Sequence, residues 1–146
     1  MEMAEVLARR STCYKGGVGA ILVRGVNIIS TGYNGPPSGE RHCHGVSCVD
    51  EQGKCSRSLH AERNAIDKLP VGECSGSKLY STRVPCLECA RRILAAGIEQ
   101  VYYRHAFRDF QGLTYIIAYS NLGVYRVTAN GFVENMRTKM LTEGVD

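Results

Sequence analysis

The stretch "KLYSTRVPCLECARRILAAGIEQVYYR", Lys78 to Arg104, holds a strand, a helix and a second strand in one run. "KLYSTRV" (Lys78–Val84) reads as the first strand. The helix runs from about Pro85 to Ala96 and is closed by Gly97, the proline start and glycine stop expected of a helix. "IEQVYYR" (Ile98–Arg104) reads as a buried strand. Strands joined this way run parallel through a crossover, so the chain reads as an α/β protein.

Working outward gives the remaining elements. "MEMAEVLARR" reads as an amphipathic helix with Cys13 near its end, and not as a signal peptide. "VGAILVR" (Val18–Arg24) and "VNIISTGY" (Val26–Tyr33), split by Gly25, read as an antiparallel hairpin. A long Gly/Pro/Ser/Cys segment follows, Asn34 to Ser58, and loops of this length in compact domains are usually functional or cross-linked. "SLHAERNAIDKL" (Ser58–Leu69) reads as a helix ended by Pro70, "GLTYIIAYSNLG" (Gly112–Gly123) as another, "VYRVTA" (Val124–Ala129) as a last strand, and "NGFVENMRTKML" as a short helix. Neither a repeat nor a linker interrupts this order, so residues 1–146 are expected to form one domain.

The composition, 44% hydrophobic and 22% charged, is that of a soluble globular protein, and no apolar run approaches membrane-spanning length. A formal charge of +4 and a pI near 8.7 suit an anionic ligand. There is no lysine/arginine block of the kind that tracks a nucleic-acid backbone. Seven cysteines, an odd count with a C-x-x-C at Cys86 and Cys89, argue for a reducing, cytoplasmic setting and for metal binding over a disulfide framework.

His60 and Glu62 stand two apart, so they do not face each other along the side of a helix. They can converge only off its N-terminal end. Cys86 and Cys89 lie in the first turn of the next helix, where the positive end of the helix dipole favours thiolates. A catalytic zinc takes three protein ligands and keeps one open position, and His60, Cys86 and Cys89 supply the three. Glu62 is left as a carboxylate with no ligand duty. Two thiolates and one imidazole neutralise zinc, so a base is needed beside it. Glu62 is the candidate, placed to take a proton from the water and return it to the reacting group.

"HAE" at His60–Glu62 and "PCLEC" at Pro85–Cys89 match the H-x-E…P-C-x-x-C signature of zinc-dependent nucleobase deaminases. With "RRSTC" (Arg9–Cys13), "VGAILV", "ISTGYNGPPSGERHC" (Ile29–Cys43) and "PCLECARRILAAGI", the chain resembles the deoxycytidylate deaminases from about Ala8 to Asp109. The resemblance implies a three-layer α/β/α cytidine-deaminase-like fold with a five-stranded mixed sheet. It implies hydrolysis of dCMP to dUMP for thymidylate synthesis, a homohexamer, activation by dCTP, and inhibition by dTTP with Mg2+. It also implies substrate contacts at Asn34, which is equally a turn residue in its Asn-Gly-Pro-Pro setting, and at the Ala61 N–H. Phe107 would close over the base and Arg108, or else Lys15, would meet the phosphate; the bland readings are a core ring and a solvated cation.

Five cysteines remain: Cys13, Cys43, Cys48 and Cys55, with His42 and His44 flanking Cys43, and Cys74, which has no assigned role. Four such ligands can close a second, structural zinc, and the resemblance implies one here. The alternative is a set of free, partly buried thiols; the clustering favours zinc. Two rival functions share parts of this pattern. A deaminase acting on RNA or single-stranded DNA needs a basic groove and stacking aromatics, and a non-catalytic zinc scaffold has no use for Glu62.

Overall fold

The hairpin forms as β1 (Gly19–Arg24) and β2 (Asn27–Tyr33), paired antiparallel with Gly19 opposite Tyr33. The computed structural model describes residues 1–43, 48, 55–106 and 110–143. β3 (Lys78–Arg83) joins β1 antiparallel, and β4 (Gln100–His105) and β5 (Gly123–Val127) follow in parallel, as the crossovers require. The sheet order is β2-β1-β3-β4-β5-β6.

The sixth strand is a correction to the five expected. β6 (Val133–Asn135) pairs antiparallel with β5 inside the tail that reads as helix throughout, and α5 (Met136–Glu143) begins only after it. Three residues are too few to show a strand's alternation. The first helix is also shorter than expected: α1 (Glu2–Ala8) stops five residues before Cys13.

Alternation along β1 sorts the layers. Ala20 and Leu22 join the core formed with α2 (Ala61–Asp67), whereas Gly19 faces α1 across the sheet. α1 is tied to its face by Glu5, whose carboxylate accepts from Arg104 of β4 at 2.6 Å in a half-buried pair. α2, α3 (Leu87–Ala95) and α4 (Gln111–Tyr119) cover the other face over Leu79, Ile93, Val101, Tyr103, Leu113 and Val124, all fully buried. Each such aliphatic side chain contributes about 1.5–3 kcal/mol of transfer free energy, so the core holds three helix starts at fixed positions over one sheet.

α2 is seated by polar contacts to β2. Ser30 Oγ donates to Ala65 O at 2.6 Å, Asn64 Nδ2 to Tyr33 O at 2.8 Å, and Lys68 Nζ to Thr31 O at 2.7 Å. α4 ends at Ser120, where Arg137 of α5 donates to the carbonyls of Ile117, Ser120 and Leu122 at 2.9, 2.5 and 3.3 Å. Among the described residues, no helix is long and apolar enough to cross a membrane.

Candidate active site and metal centre

Two N-caps meet over the sheet. His60 caps α2 and Cys86 caps α3, both with extended backbone. Cys86 Sγ accepts the Cys89 N–H at 3.5 Å, a cap that also turns the sulfur toward the helix axis. His60 Nδ1 lies 3.4 Å from Cys86 Sγ and 3.3 Å from Cys89 Sγ. Zinc–sulfur and zinc–nitrogen bonds of normal length at a tetrahedral angle separate their donor atoms by about 3.5 Å, so these three fit one zinc ion. Among the described residues, no other three His, Cys, Asp or Glu side chains bring ligand atoms within 4.8 Å of one another.

The electrostatics of the metal-free cluster agree with that use. The hydrogen bond from Cys89 holds the Cys86 thiol down to about 3, against the penalty of burial and with help from His60. Cys89 is pushed far up, first because it donates that bond and then by burial. His60 is raised, chiefly by its hydrogen bond to Cys86. Cys86 is thus already disposed toward the thiolate form that a metal takes up.

Glu62 lies in the first turn of α2, 4% exposed, and burial raises its carboxyl above the ordinary range. Ser81 Oγ donates to its Oε1 at 3.0 Å, and Cys89 Sγ approaches its Oε2 at 3.7 Å. Ser81 was not singled out from the sequence. The available signal was alternation in "KLYSTRV", which sets Ser81 on the buried face with Leu79.

A cavity of about 260 Å³ opens beside the cluster, and His60, Ala61, Glu62, Cys86, Asn34 and Arg83 are among the residues that line it. The Asn34 amide is already engaged: Oδ1 accepts the Val18 N–H at 2.7 Å and Nδ2 donates to Gly16 O at 3.1 Å. The side chain thus ties the end of β2 to the loop before β1 while lining the cavity, with one N–H still available to a ligand. Phe107, Arg108 and His44 lie outside the described residues. Of the loop cysteines, Cys43 and Cys48 are buried and Cys55 Sγ lies 3.5 Å from Cys48 Sγ, while Cys13 and Cys55 both reach the cavity wall.

The Cys86 cap is held from behind by α4. A Cβ on Gly112 would overlap the Pro85 carbonyl oxygen and come within 2.6 Å of the Cys86 carbonyl group. Gly112→Ala is therefore expected to push the first turn of α3 out of register with His60. Overpacking against rigid backbone should cost about 1–3 kcal/mol, or roughly 2–12 °C in Tm. Thermal melts and zinc-chelator competition check this; unchanged melting with unchanged zinc retention would remove the argument.

Residues 1–105 match the model of the cytidine and deoxycytidylate deaminase zinc-binding region. The chain belongs to that family. Over 142 residues it is 32% identical to ComE operon protein 2 of Bacillus subtilis, covering 95% of this chain and 75% of that protein. It is 40% identical over 118 residues to the deoxycytidylate deaminase of Schizosaccharomyces pombe, covering 73% of this chain but only 36% of the yeast protein. The crystal structure of the dCMP deaminase of cyanophage S-TIM5, in complex with dCMP and dUMP, superposes with a TM-score of 0.72 at 34% identity, covering 86% of this chain and 91% of the phage chain. The fold is thus the cytidine-deaminase-like α/β fold, and the chain is a zinc-binding deaminase of this family.

Proposed function

We propose that this deaminase hydrolyses dCMP to dUMP and ammonia. The observation that carries the reading is a buried carboxylate, Glu62, beside a three-ligand zinc set at the wall of a nucleotide-sized cavity. It is supported by the likeness to a phage enzyme that binds dCMP and dUMP.

When bound by His60, Cys86 and Cys89, zinc supplies Lewis acidity toward water. The chain's own residues do the rest. Glu62, held by Ser81 and kept proton-hungry by burial, accepts a proton from water at one carboxylate oxygen. It then delivers protons to the ring nitrogen next to the attacked carbon and to the departing amino group. The Ala61 N–H, at the first position of α2 where helical partners are lacking, offers a hydrogen bond to the ring carbonyl. Asn34 fixes the loop across the cavity and offers its remaining N–H to the sugar.

The same reading extends to a second, structural zinc held by Cys13, Cys43, Cys48 and Cys55. Burial first, and then the nearby Cys55 and Cys43 thiols, push the Cys48 thiol up to about 11. Cys48 and Cys55 already stand 3.5 Å apart, and an ion bound there would have to draw the other sulfurs in, since no three of the four lie within 4.8 Å of one another. It extends also to a cytoplasmic homohexamer activated by dCTP and inhibited by dTTP with Mg2+, and to supply of dUMP for thymidylate synthesis.

Ammonia release from dCMP, deoxycytidine, cytidine, dCTP and cytosine-containing oligonucleotides tests the substrate. We expect dCMP to lead deoxycytidine by roughly ten- to a hundredfold in kcat/KM, the effect of one charge-assisted phosphate contact of about 1.5–3 kcal/mol. Equal turnover of the two would make this a nucleoside deaminase, and a preference for oligonucleotides would make it a polynucleotide one.

A further inference from the structure

The cavity carries a cation that neither the metal ligands nor Glu62 explains. Arg83, the last residue of β3, lines it with Asn34, Ser58, His60 and Glu62. Strand alternation puts it there. Leu79 and Ser81 are buried beneath the helices, and Arg83 is the next residue on that face, half-buried where the strand leaves the core. Its backbone is fixed: Arg83 pairs in register with His105, and the Val84 N–H donates to His105 O at 3.0 Å. Cys86 follows three residues later, so the guanidinium and the metal ligand ride on one rigid segment.

The guanidinium also packs against the loop that precedes β1. One of its nitrogens lies 3.0 Å from where a Cβ would stand on Gly16, which has φ +116°. The Gly16 carbonyl in turn accepts from Asn34. Arg83 and Asn34 thus reach the cavity together, joined through Gly16, while His60, Ala61 and Cys86 line it from the two helix starts. Among the described residues that line the cavity, Arg83 is the one arginine or lysine.

We propose that Arg83 is the residue that selects a 5′-monophosphate over the free nucleoside by binding the substrate phosphate. This rests on the cytosine-nucleotide reading above. A guanidinium offers a planar fork of donors that matches two phosphate oxygens, and a half-buried position strengthens that contact relative to open water. With the base held at the zinc end by Glu62 and the Ala61 N–H, and the sugar beside Asn34, the phosphate lies on the Arg83 side. The assignment moves the phosphate contact away from Arg108 and Lys15 to a residue on the sheet itself.

The test compares zinc-loaded wild type with Arg83→Gln and Arg83→Lys. The readout is the ratio of kcat/KM for dCMP to kcat/KM for deoxycytidine. That ratio should fall roughly ten- to a hundredfold in Arg83→Gln, mostly through KM, because the phosphate is remote from the reacting atoms. Arg83→Lys, which keeps the charge without the fork, should fall between. Binding of the products gives a second measure: the affinity ratio of dUMP to deoxyuridine should drop in parallel, whatever happens to turnover. An unchanged ratio in Arg83→Gln overturns the proposal. Equal loss on both ligands in both variants also overturns it, making Arg83 a support for the Gly16 loop. A wild type that turns over deoxycytidine or another base but not dCMP sinks the nucleotide reading first, and the phosphate assignment with it.

Discussion

Glu62→Gln is expected to keep its zinc and lose deamination by several orders of magnitude. The amide preserves the volume, and its carbonyl oxygen still accepts the Ser81 hydroxyl that now reaches Oε1 at 3.0 Å. Its one neighbour among the ligand atoms is Cys89 Sγ, 3.7 Å from Oε2, and the amide leaves all three ligand residues in place. What it removes is the ability to take and return protons. General acid–base catalysis alone contributes about 10²–10⁴-fold, and here one group serves several successive transfers, so the loss should exceed that range. The surroundings of Glu62 leave no obvious deputy. It is 4% exposed, and burial disfavours water entry from behind, so bulk solvent cannot stand in for the carboxylate. The measurement is single-turnover ammonia release on protein whose zinc content has been determined. A metal-loaded variant with near-normal turnover would refute the assigned role and favour a scaffold function for the site. Loss of metal along with activity would instead give Glu62 a part in holding the cluster together.

Much of this site was legible because its geometry is local. His60 and Cys86 are residues whose positions follow from where helices begin, and those starts are marked by Pro85 and by the apolar period after His60. Once both are N-caps, the i, i+3 spacing of Cys89 and the i+2 spacing of Glu62 place two more groups without any tertiary knowledge. The parallel direction of β3, β4 and β5 was legible for the same reason, since a helical crossover returns the chain the same way, whereas the antiparallel pairing of β1 with β3 joins strands far apart in the chain and has no local sign. What failed to show was non-local. Ser81 and Arg83 matter only because the face of β3 they occupy lies under α2 and beside the α1–β1 loop, and pairing of a strand face with a distant helix start has no short-range signal. Gly112 is the same case: its importance comes from the Pro85 carbonyl, which lies 27 positions earlier in the chain. β6 was missed for want of length, because "VEN" cannot be told from a first helical turn until Val127, Arg126 and Tyr125 are seen to pair with it. Asn34 was undecided between turn and site because the contacts that hold its amide, at Val18 and Gly16, are also distant in the chain.

Freshly purified protein is expected to contain two zinc ions per chain, each lost by a different substitution. Cys86→Ala should remove one and abolish activity. Because Cys86 Sγ also caps α3, the alanine change carries a helix cost of about 1 kcal/mol besides the lost ligand. Cys86→Ser separates the two: the hydroxyl restores the cap but is a poor zinc ligand, so it should recover stability and not activity. The second ion should respond to Cys43→Ala. Cys43 is fully buried, Cys48 is 2% exposed, and Cys55 Sγ is held both by Cys48 and by the Ser58 N–H at 3.3 Å. Ser58 lines the cavity, and two residues later the chain reaches His60, so a metal among these sulfurs would brace the approach to the catalytic cap without touching substrate. Binding free energy at such a site is folding free energy. Cys43→Ala should therefore lower Tm by roughly 6–12 °C, corresponding to about 3 kcal/mol, while turnover per folded molecule falls far less than in Cys86→Ala. Metal analysis, thermal melts and dCMP turnover on the three variants separate these outcomes. A stoichiometry of one that Cys43→Ala leaves unchanged would return Cys13, Cys43, Cys48 and Cys55 to free, buried thiols, and their cost on replacement would then be only that of a small cavity.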